Sequence, residues 1–483
     1  MTTHADQVVR ALTAAVGPRW IRQNPTALET YARDGLPTYR ARPALAVLPG
    51  SHEEVVRCVR ALAHHGVPFV ARGAGTGLSG GALAGPDAVL IVLTRLNRVL
   101  AIDGPNRRAT VEPGVVNVRL SEAAAPYGLH YAPDPSSQTA CTIGGNVAEN
   151  AGGPHCLKYG VTTNHIVALT VVLPDGTAAQ LGSPTGDPCG PDLVGLFVGS
   201  EGMFGIATEV TVRLTPVPSV VRTLLADFDD LRQAGEAVSA IVRSGIVPAA
   251  LEMMDRNCIA AVEASIYAAG YPVDAAAVLL VEVDGRDWEA VTAEAVAVEA
   301  LLHDQGARSV RTASDERERS RLWQGRKKAF GAMGRISSDL VVQDAVVPRS
   351  TLPDVLTAID EIAARYRVRV ANVFHAGDGN LHPNIAFDAR DADEHRRVED
   401  ASVEIMQACI AVGGSITGEH GVGLDKRRYM PSIFSPDTLG AMRAVRRAFD
   451  PQELANPGKV LPTHSCREWR AAGAAARRGP GSA

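Results

Sequence analysis

No CxxC pair occurs in this chain, and its seven cysteines (Cys58, Cys141, Cys156, Cys189, Cys258, Cys409 and Cys466) follow no regular spacing. An odd, scattered set argues against a disulfide framework and against an iron–sulfur cluster held by this chain itself. It reads as reduced thiols in a cytosolic protein. A basic surplus is also missing: 48 Lys and Arg stand against 53 Asp and Glu, a formal charge of −5. That argues against a nucleic-acid partner, and no block of like charge forms an interaction tail. No apolar run approaches the roughly 18 residues a membrane span requires. The N-terminal stretch MTTHADQVVRALTAAVG lacks the apolar core of a signal peptide. Direct membrane insertion is therefore not expected, and any attachment to a membrane would come through a partner. The 46 Gly and 30 Pro are dispersed rather than periodic, which excludes a fibrous repeat and points to many tight turns.

What is present is enough to build sizeable cores. The 483 residues, 46% of them hydrophobic, exceed one ordinary core and predict two or three domains. Ser51 followed by Glu54 predicts a capping box, with Val55, Val56, Val59 and Leu62 as the apolar face of the helix it starts. Strands are expected at Val67 to Ala71, Ala88 to Leu93 and Val167 to Leu173, the last followed by the hairpin signal Asp175-Gly176. From about Pro216 strands and helices alternate in a β-α-β-β-α-β rhythm, predicting a second sheet with helices on one face. It runs through strands Val221 to Phe228, Pro248 to Met254 and Ala277 to Val283, and helices near Asp230 to Arg243 and Trp288 to Asp304. A helix Leu352 to Tyr366, a strand Val368 to Phe374 and a helix Asp393 to Val412 ending at Gly413-Gly414 continue the pattern. The fold class is α+β. After Thr463 the composition turns Ala-, Arg- and Gly-rich and predicts a disordered tail over 464–483.

Three glycine-rich loops stand out in the first half. Arg72 to Ala82 (RGAGTGLSGGA) follows a strand, but its glycines do not make the GxGxxG dinucleotide fingerprint. Alone it is equally a tight turn or an anion cradle in which backbone amides approach a diphosphate. Thr142 to Gly153 (TIGGNVAENAGG), preceded by Pro133-Asp134-Pro135, and Gly199 to Gly202 with Gly205-Ile206 repeat the character. Three such loops in one domain are hard to explain as unrelated turns.

The second half carries histidines in short loops: His375 and His382 in HAGDGNLH, Glu419 and His420 in TGEHGVG. Singly, each is explained by a glycine loop that exposes it. Together, two imidazoles and a carboxylate make a donor set suited to Zn²⁺ or Mn²⁺ with positions left open. Arg326, in Leu322 to Lys328, lies on an amphipathic basic stretch that reads as a solvated helix face. Its guanidinium fork is also the group best shaped for a substrate carboxylate. Asn384 offers a further hydrogen bond.

In order and character the three loops resemble the FAD-binding domain of the vanillyl-alcohol oxidase/p-cresol methylhydroxylase superfamily, from Pro43 to about Val217. The strings LWQGRKKAF, GRIS, ANVFHAGDGNLHP, GGSITGEHGVG, AFDP and NPGK resemble the FAD-dependent D-2-hydroxyacid dehydrogenases, a family that includes the flavin-bearing D subunits of bacterial glycolate oxidases. The resemblance implies a two-lobed FAD-binding domain over 1–216 and a ferredoxin-like α/β cap holding substrate and metal over 217–425. A C-terminal helical segment over 426–463 would return to the flavin. By the same resemblance Arg72, Gly73, Ala74, Gly75, Thr76, Gly77 and Ser79 wrap the pyrophosphate. Pro133, Asp134, Ser136, Ser137, Thr142, Gly144, Gly145 and Asn146 line the flavin, and Gly152, Glu201, Ile206 and Asn456 complete the nucleotide site. His375, His382 and Glu419 would bind the metal, His420 would be the base, and Arg326 and Asn384 would contact substrate. Covalent flavin in relatives often hangs on a His in the first loop. Here Ala74 and Thr76 stand among the glycines, so FAD is expected to be non-covalent. Cys141 and Cys156 read as packed thiols rather than attachment points.

One departure narrows the substrate. Relatives acting on D-2-hydroxyglutarate carry a Lys two residues before the Asp matching Asp344, whereas this chain has Val342 there and Phe330 in place of a small polar residue. A buried distal carboxylate without a partner is costly, so glycolate or D-lactate is expected. In the implied mechanism, His420 takes the hydroxyl proton, a step for which an imidazole of ordinary pKa near 6.5 is suited. The 2-hydrogen then leaves as hydride to flavin N5. With no cluster and no haem motif in this chain, reduced flavin needs an external acceptor. The resemblance implies an iron–sulfur subunit and a second flavin-domain-like subunit, hence a cytoplasmic protein peripheral to the inner membrane through those partners. A stand-alone D-lactate dehydrogenase, a non-catalytic flavin-domain subunit and a metallohydrolase remain as alternatives. The four residues of the histidine set speak against the scaffold, and a yellow protein would speak against the hydrolase.

Overall fold

The computed structural model describes residues 3–185 and 190–462, and the expected disordered tail lies outside them. The chain forms two compact units, one of 1–152, 160–217 and 419 onward, the other of Gly153–Tyr159 and Pro218–Gly418. The second unit ends at Gly418, inside the TGEHGVG loop.

The first unit has two lobes. In one, strands Leu45–Val47, Val89–Val92 and Phe69–Arg72 pair in parallel in that order, with Ile21–Arg22 antiparallel at the far edge. Helix His52–His64 makes the crossover. Its Val55, Val59 and Leu62 are fully buried beside Phe69 and Ile91, roughly 1.5–3 kcal/mol each. Ser51 caps it by accepting the Glu54 amide at 3.3 Å, but the Glu54 carboxylate takes the Gly50 amide at 2.6 Å. Only half of the expected capping box forms. A cap is worth ~1 kcal/mol, so the buried face holds this helix. The other lobe is an antiparallel sheet in the order Val99–Asp103, Arg108–Val111, Ile206–Arg213, Ile166–Val172, Ala178–Gly182, with Asp175-Gly176 turning between the last two. The C-terminal segment comes back to the first lobe: Phe69 donates to the Leu454 carbonyl and accepts from the Asn456 amide, both at 2.8 Å.

In the second unit, strands Ser309–Thr312, Val220–Phe228, Ala277–Gly285 and Ala250–Asp255 lie side by side in that order, all antiparallel. That is the fourth, first, third, second order of a ferredoxin-like sheet. Two expectations change. A helix, Arg256–Glu263, interrupts the expected direct link between the second and third strands. Helices also cover both faces: Ile259, Val262, Leu322 and Trp323 pack on Leu225, Val278 and Leu280, while helices Leu231–Arg243 and Trp288–Asp304 contact the same strands. Every residue of Ala250–Asp255 is buried, as expected of a strand covered on both sides. Strand Arg369–His375 extends the sheet by pairing with Ala250–Asp255.

Asp255 caps helix Arg256–Glu263 by accepting the Cys258 amide at 2.8 Å, and its other oxygen accepts the Asn372 amide at 2.8 Å. Burial pushes its carboxyl from 3.8 up to about 7. The folded chain keeps this proton where the unfolded chain has lost it, so unfolding free energy falls as pH rises from about 4 to about 7. Asp255→Asn removes that slope. Urea midpoints across the window should show the variant gaining on wild type, and a pH-independent difference would refute the assignment.

Candidate active site

In the first unit the glycine loops converge. A Cβ on Gly73 would stand 2.3 Å from Thr142 Oγ1, so the first loop lies directly on the second. A Cβ on Gly81 would stand 2.9 Å from Glu149 Oε1 and 3.4 Å from Glu201 Oε2, bringing in the third. Asn456 closes the group, its Nδ2 donating to the carbonyls of Gly81 at 3.0 Å and Glu201 at 2.5 Å. Around this point Thr142 Oγ1 and Ser200 Oγ are buried without a hydrogen-bond partner among the described residues. Buried polar atoms are nearly always satisfied, so these orphans, beside glycines too crowded for a side chain, fit a polar ligand with phosphates and hydroxyls.

Not every expected ligand residue is free for that role. The Arg72 guanidinium donates to the carbonyls of Arg33 at 2.8 Å and of Tyr31 and Ala82 at 3.5 Å. It ties the loop to the neighbouring chain, which leaves backbone amides to meet a phosphate. Gly144 donates its amide to Pro113, at 2.8 Å, and Ile206 is a core residue. Ser79 is fully buried and accepts the Gly81 amide at 3.2 Å. The Glu201 carboxylate accepts the amides of Val422 at 2.6 Å and Gly423 at 2.8 Å, so its oxygens face protein rather than a nucleotide. Cys141 is buried and its thiol is pushed up to about 11, chiefly by burial. It is a packed, unreactive thiol.

The second unit builds the histidine loop. Strand Arg369–His375 runs into the turn Ala376–Asp378, and the chain returns through Asn380–Leu381 to His382. Gly379 makes the reversal at φ +78°, where a Cβ would lie 2.2 Å from the Val347 carbonyl oxygen. The reversal brings the two imidazoles together, centroids 5.1 Å apart and rings perpendicular at 89°. Each ring has an acceptor on its Nδ1 side. Both Glu252 oxygens lie 2.9 Å from His375 Nδ1; the Gln343 carbonyl lies 3.2 Å from His382 Nδ1, with the Asp344 carboxylate at 3.9 Å. With Nδ1 protonated toward these acceptors, each Nε2 carries the lone pair a metal requires.

Glu252 is the residue the sequence reading missed. It is fully buried and also pairs with the Arg326 guanidinium. Burial alone would raise its carboxyl, but Arg326 and His375 outweigh it and hold the group below the ordinary range. Its one sequence signal is a charge inside an apolar strand, ALEMMD, a placement that costs free energy without a partner. Arg326 is buried on helix Glu316–Met333 while Lys328 is exposed, so the solvated-face reading holds for Lys328 only. Arg326 Nε is buried without a partner among the described residues. Asn384 Nδ2 donates to the carbonyls of Ala371 at 3.1 Å and His382 at 2.6 Å, and its buried Oδ1 has no partner among the described residues. Two carbonyls on one nitrogen fix the amide orientation. Asn384 can therefore accept a hydrogen bond from a ligand through Oδ1, not donate one. Asp344, also fully buried, accepts from Thr417 Oγ1 at 2.6 Å and the Gly418 amide at 3.0 Å. Glu419 and His420 are the next two residues and belong to the first unit, with His420 Nε2 3.7 Å from Glu419 Oε1.

Among the described residues no helix is long and apolar enough to cross a membrane. The family described as FAD linked oxidases, C-terminal domain, matches residues 217–460, and an FAD binding domain family matches residues 43–182. The chain is 52% identical over 442 residues to the glycolate oxidase subunit GlcD of Escherichia coli (strain K12), covering 91% of this chain and 88% of that one. Its identity to glycolate oxidase subunit GlcD of Bacillus subtilis (strain 168) is 40%, over 92% of this chain and 94% of the other. A D-lactate dehydrogenase of Anaerostipes hadrus is 32% identical, over 92% and 95%. The crystal structure of p-cresol methylhydroxylase with substrate bound matches at a TM-score of 0.82 and 18% identity, covering 95% of this chain and 98% of that one. That likeness establishes the fold alone.

Proposed function

The chain belongs to the FAD-linked oxidases, and on that premise we propose that it oxidises a small 2-hydroxy acid, glycolate or D-lactate, to the 2-oxo acid. The observation that carries the reading is the pair His375 and His382, two buried imidazoles with centroids 5.1 Å apart and an acceptor on each Nδ1, beside a buried Arg326. The relatives named as glycolate oxidase subunits and D-lactate dehydrogenase support the substrate class.

His375, His382 and Glu419 would hold a divalent metal, Zn or Mn by donor type. The glycine loops would hold FAD non-covalently; the bound flavin would supply a hydride acceptor for the 2-hydrogen and the metal a Lewis acid for the substrate oxygens. Arg326 grips the substrate carboxylate: its pair with Glu252 fixes the guanidinium plane, and Nε–H is the donor left over. Asn384 Oδ1 accepts from the 2-hydroxyl side of the substrate, and His420 takes the hydroxyl proton. Substrate size follows from Val342, which pairs directly across from Asn384 in adjacent strands. Opposed residues share a face about 5 Å apart, so position 342 borders the group that touches substrate. A valine there offers a second carboxylate nothing. Electrons leave for an external acceptor, with an iron–sulfur subunit and a second flavin-domain-like subunit as the partner classes that would hold the protein peripherally at the inner membrane.

The test is an anaerobic visible spectrum titrated in turn with glycolate, D-lactate, L-lactate and D-2-hydroxyglutarate. Bleaching of the flavin band by glycolate or D-lactate alone is the expected result; bleaching by D-lactate alone favours a lactate dehydrogenase. A band unchanged by all four would refute the substrate assignment, and a colourless protein would refute the flavin.

A further inference from the structure

The residues that follow His420 are stitched to all three glycine loops within the first unit. Leu424 and Asp425 donate their amides to the Ser79 carbonyl of the first loop, at 2.9 and 3.2 Å. Gly421 lies against Glu149 of the second: a Cβ there would fall 2.0 Å from Glu149 Oε2. Val422 and Gly423 donate to the two oxygens of Glu201 of the third. Gly423 takes φ +51° with the place of a Cβ only 2.1 Å from the Ser79 carbonyl oxygen, so nothing larger fits.

Glu201 is the group that makes this seam directional. It is buried and sits at φ +50°, a left-handed conformation that a glutamate adopts at a cost. The Asn456 amide holds its carbonyl in that strained position. One carboxylate taking two consecutive main-chain amides fixes both position and rotation of the segment, as a single bond would not.

We propose that Glu201 is a positioning residue for His420, pinning the two residues after the next to the flavin loops so that base and cofactor share one rigid mount. The inference rests on the reading of His420 as the base, and the sequence-level assignment of Glu201 to the nucleotide is replaced by it.

The test variant is Glu201→Gln, which is isosteric but turns one of the two acceptor oxygens into a donor facing an amide. Purified holoenzyme should retain its FAD absorbance and substrate affinity, while the rate of anaerobic flavin reduction at saturating acid falls about 10- to 100-fold, since a displacement of ~1 Å at a reacting group can cost 10²-fold. The acid is glycolate, or D-lactate if only that bleaches the flavin. A double-mutant comparison separates positioning from general damage: Glu201→Gln/His420→Ala should be no slower than His420→Ala alone, because a residue acting through His420 has nothing left to act on. A further 10-fold loss in the double variant would overturn the proposal. So would wild-type reduction in Glu201→Gln, and so would loss of FAD with the remaining holoenzyme reducing at the normal rate. If Glu201→Gln does not fold, Glu201→Asp keeps both oxygens on a shorter arm and carries the same comparison. Should His420→Ala itself reduce normally, the base assignment fails and the inference falls with it; a slow His420→Ala beside a normal Glu201→Gln sinks the inference alone.

Discussion

His420→Ala is expected to lower the rate of anaerobic flavin reduction by about 10²–10⁴-fold, the usual contribution of a positioned general base, with FAD content unchanged. The separation of effects follows from the structure. The flavin loops are joined through Gly73 against Thr142 and through Asn456 on Gly81 and Glu201. The segment after the histidine is held by main-chain amides of Val422 and Gly423. None of these bonds uses the imidazole. Its loss therefore removes a proton acceptor and leaves the mount intact. A reduction rate within about threefold of wild type would show that the hydroxyl proton leaves by another route, because a tenfold change in rate corresponds to only 1.4 kcal/mol.

Removal of the proposed divalent metal is the second large effect expected. Dialysis against a chelator should abolish substrate-dependent bleaching by more than about 10²-fold, since a Lewis acid at a reacting oxygen contributes several kcal/mol. Re-addition of Mn²⁺ or Zn²⁺ should restore it, and the flavin spectrum should not change throughout. The second unit says where this can be weakened without touching a ligand. Glu252 meets His375 Nδ1 with both oxygens at 2.9 Å, and such partners of ligating histidines are typically worth about 10–100-fold in metal affinity. Glu252→Gln should therefore need that much more metal for half-restoration. Chelated enzyme that still bleaches with glycolate or D-lactate would remove the metal from the mechanism altogether.

Much of this site was legible from residue types and short spacing. Glycine runs after strands marked the loops, and HAGDGNLH and TGEHGVG held the histidines, because loop chemistry is local. The helix Leu352–Tyr366 matched its expected bounds for the same reason: Pro353 in the first turn and apolar Val355, Leu356, Ile359 and Ile362 are all within one segment. Glu252 was not legible as a partner of His375. The two are more than a hundred residues apart and meet only through the antiparallel register that sets Glu252 opposite His375. Helix Arg256–Glu263 was missed because its eight residues are short and their burial comes from packing under a second layer rather than from a long amphipathic repeat.

The residue chemistry of the molecule was thus determined by the sequence alone: scattered cysteines with no CxxC pair, glycine loops able to admit a diphosphate, imidazoles and a carboxylate able to take a metal, and a valine where a second carboxylate would need a cation. Tertiary structure alone decided what each of those groups is free to do. Arg72 is used up on carbonyls, Asn384 can only accept, Glu201 holds the chain behind His420, and both loop histidines turn Nδ1 toward an acceptor. The reason is that a polar side chain's availability depends on which distant donors and acceptors reach it first, and strand register and chain crossings set those meetings across separations that no local pattern encodes.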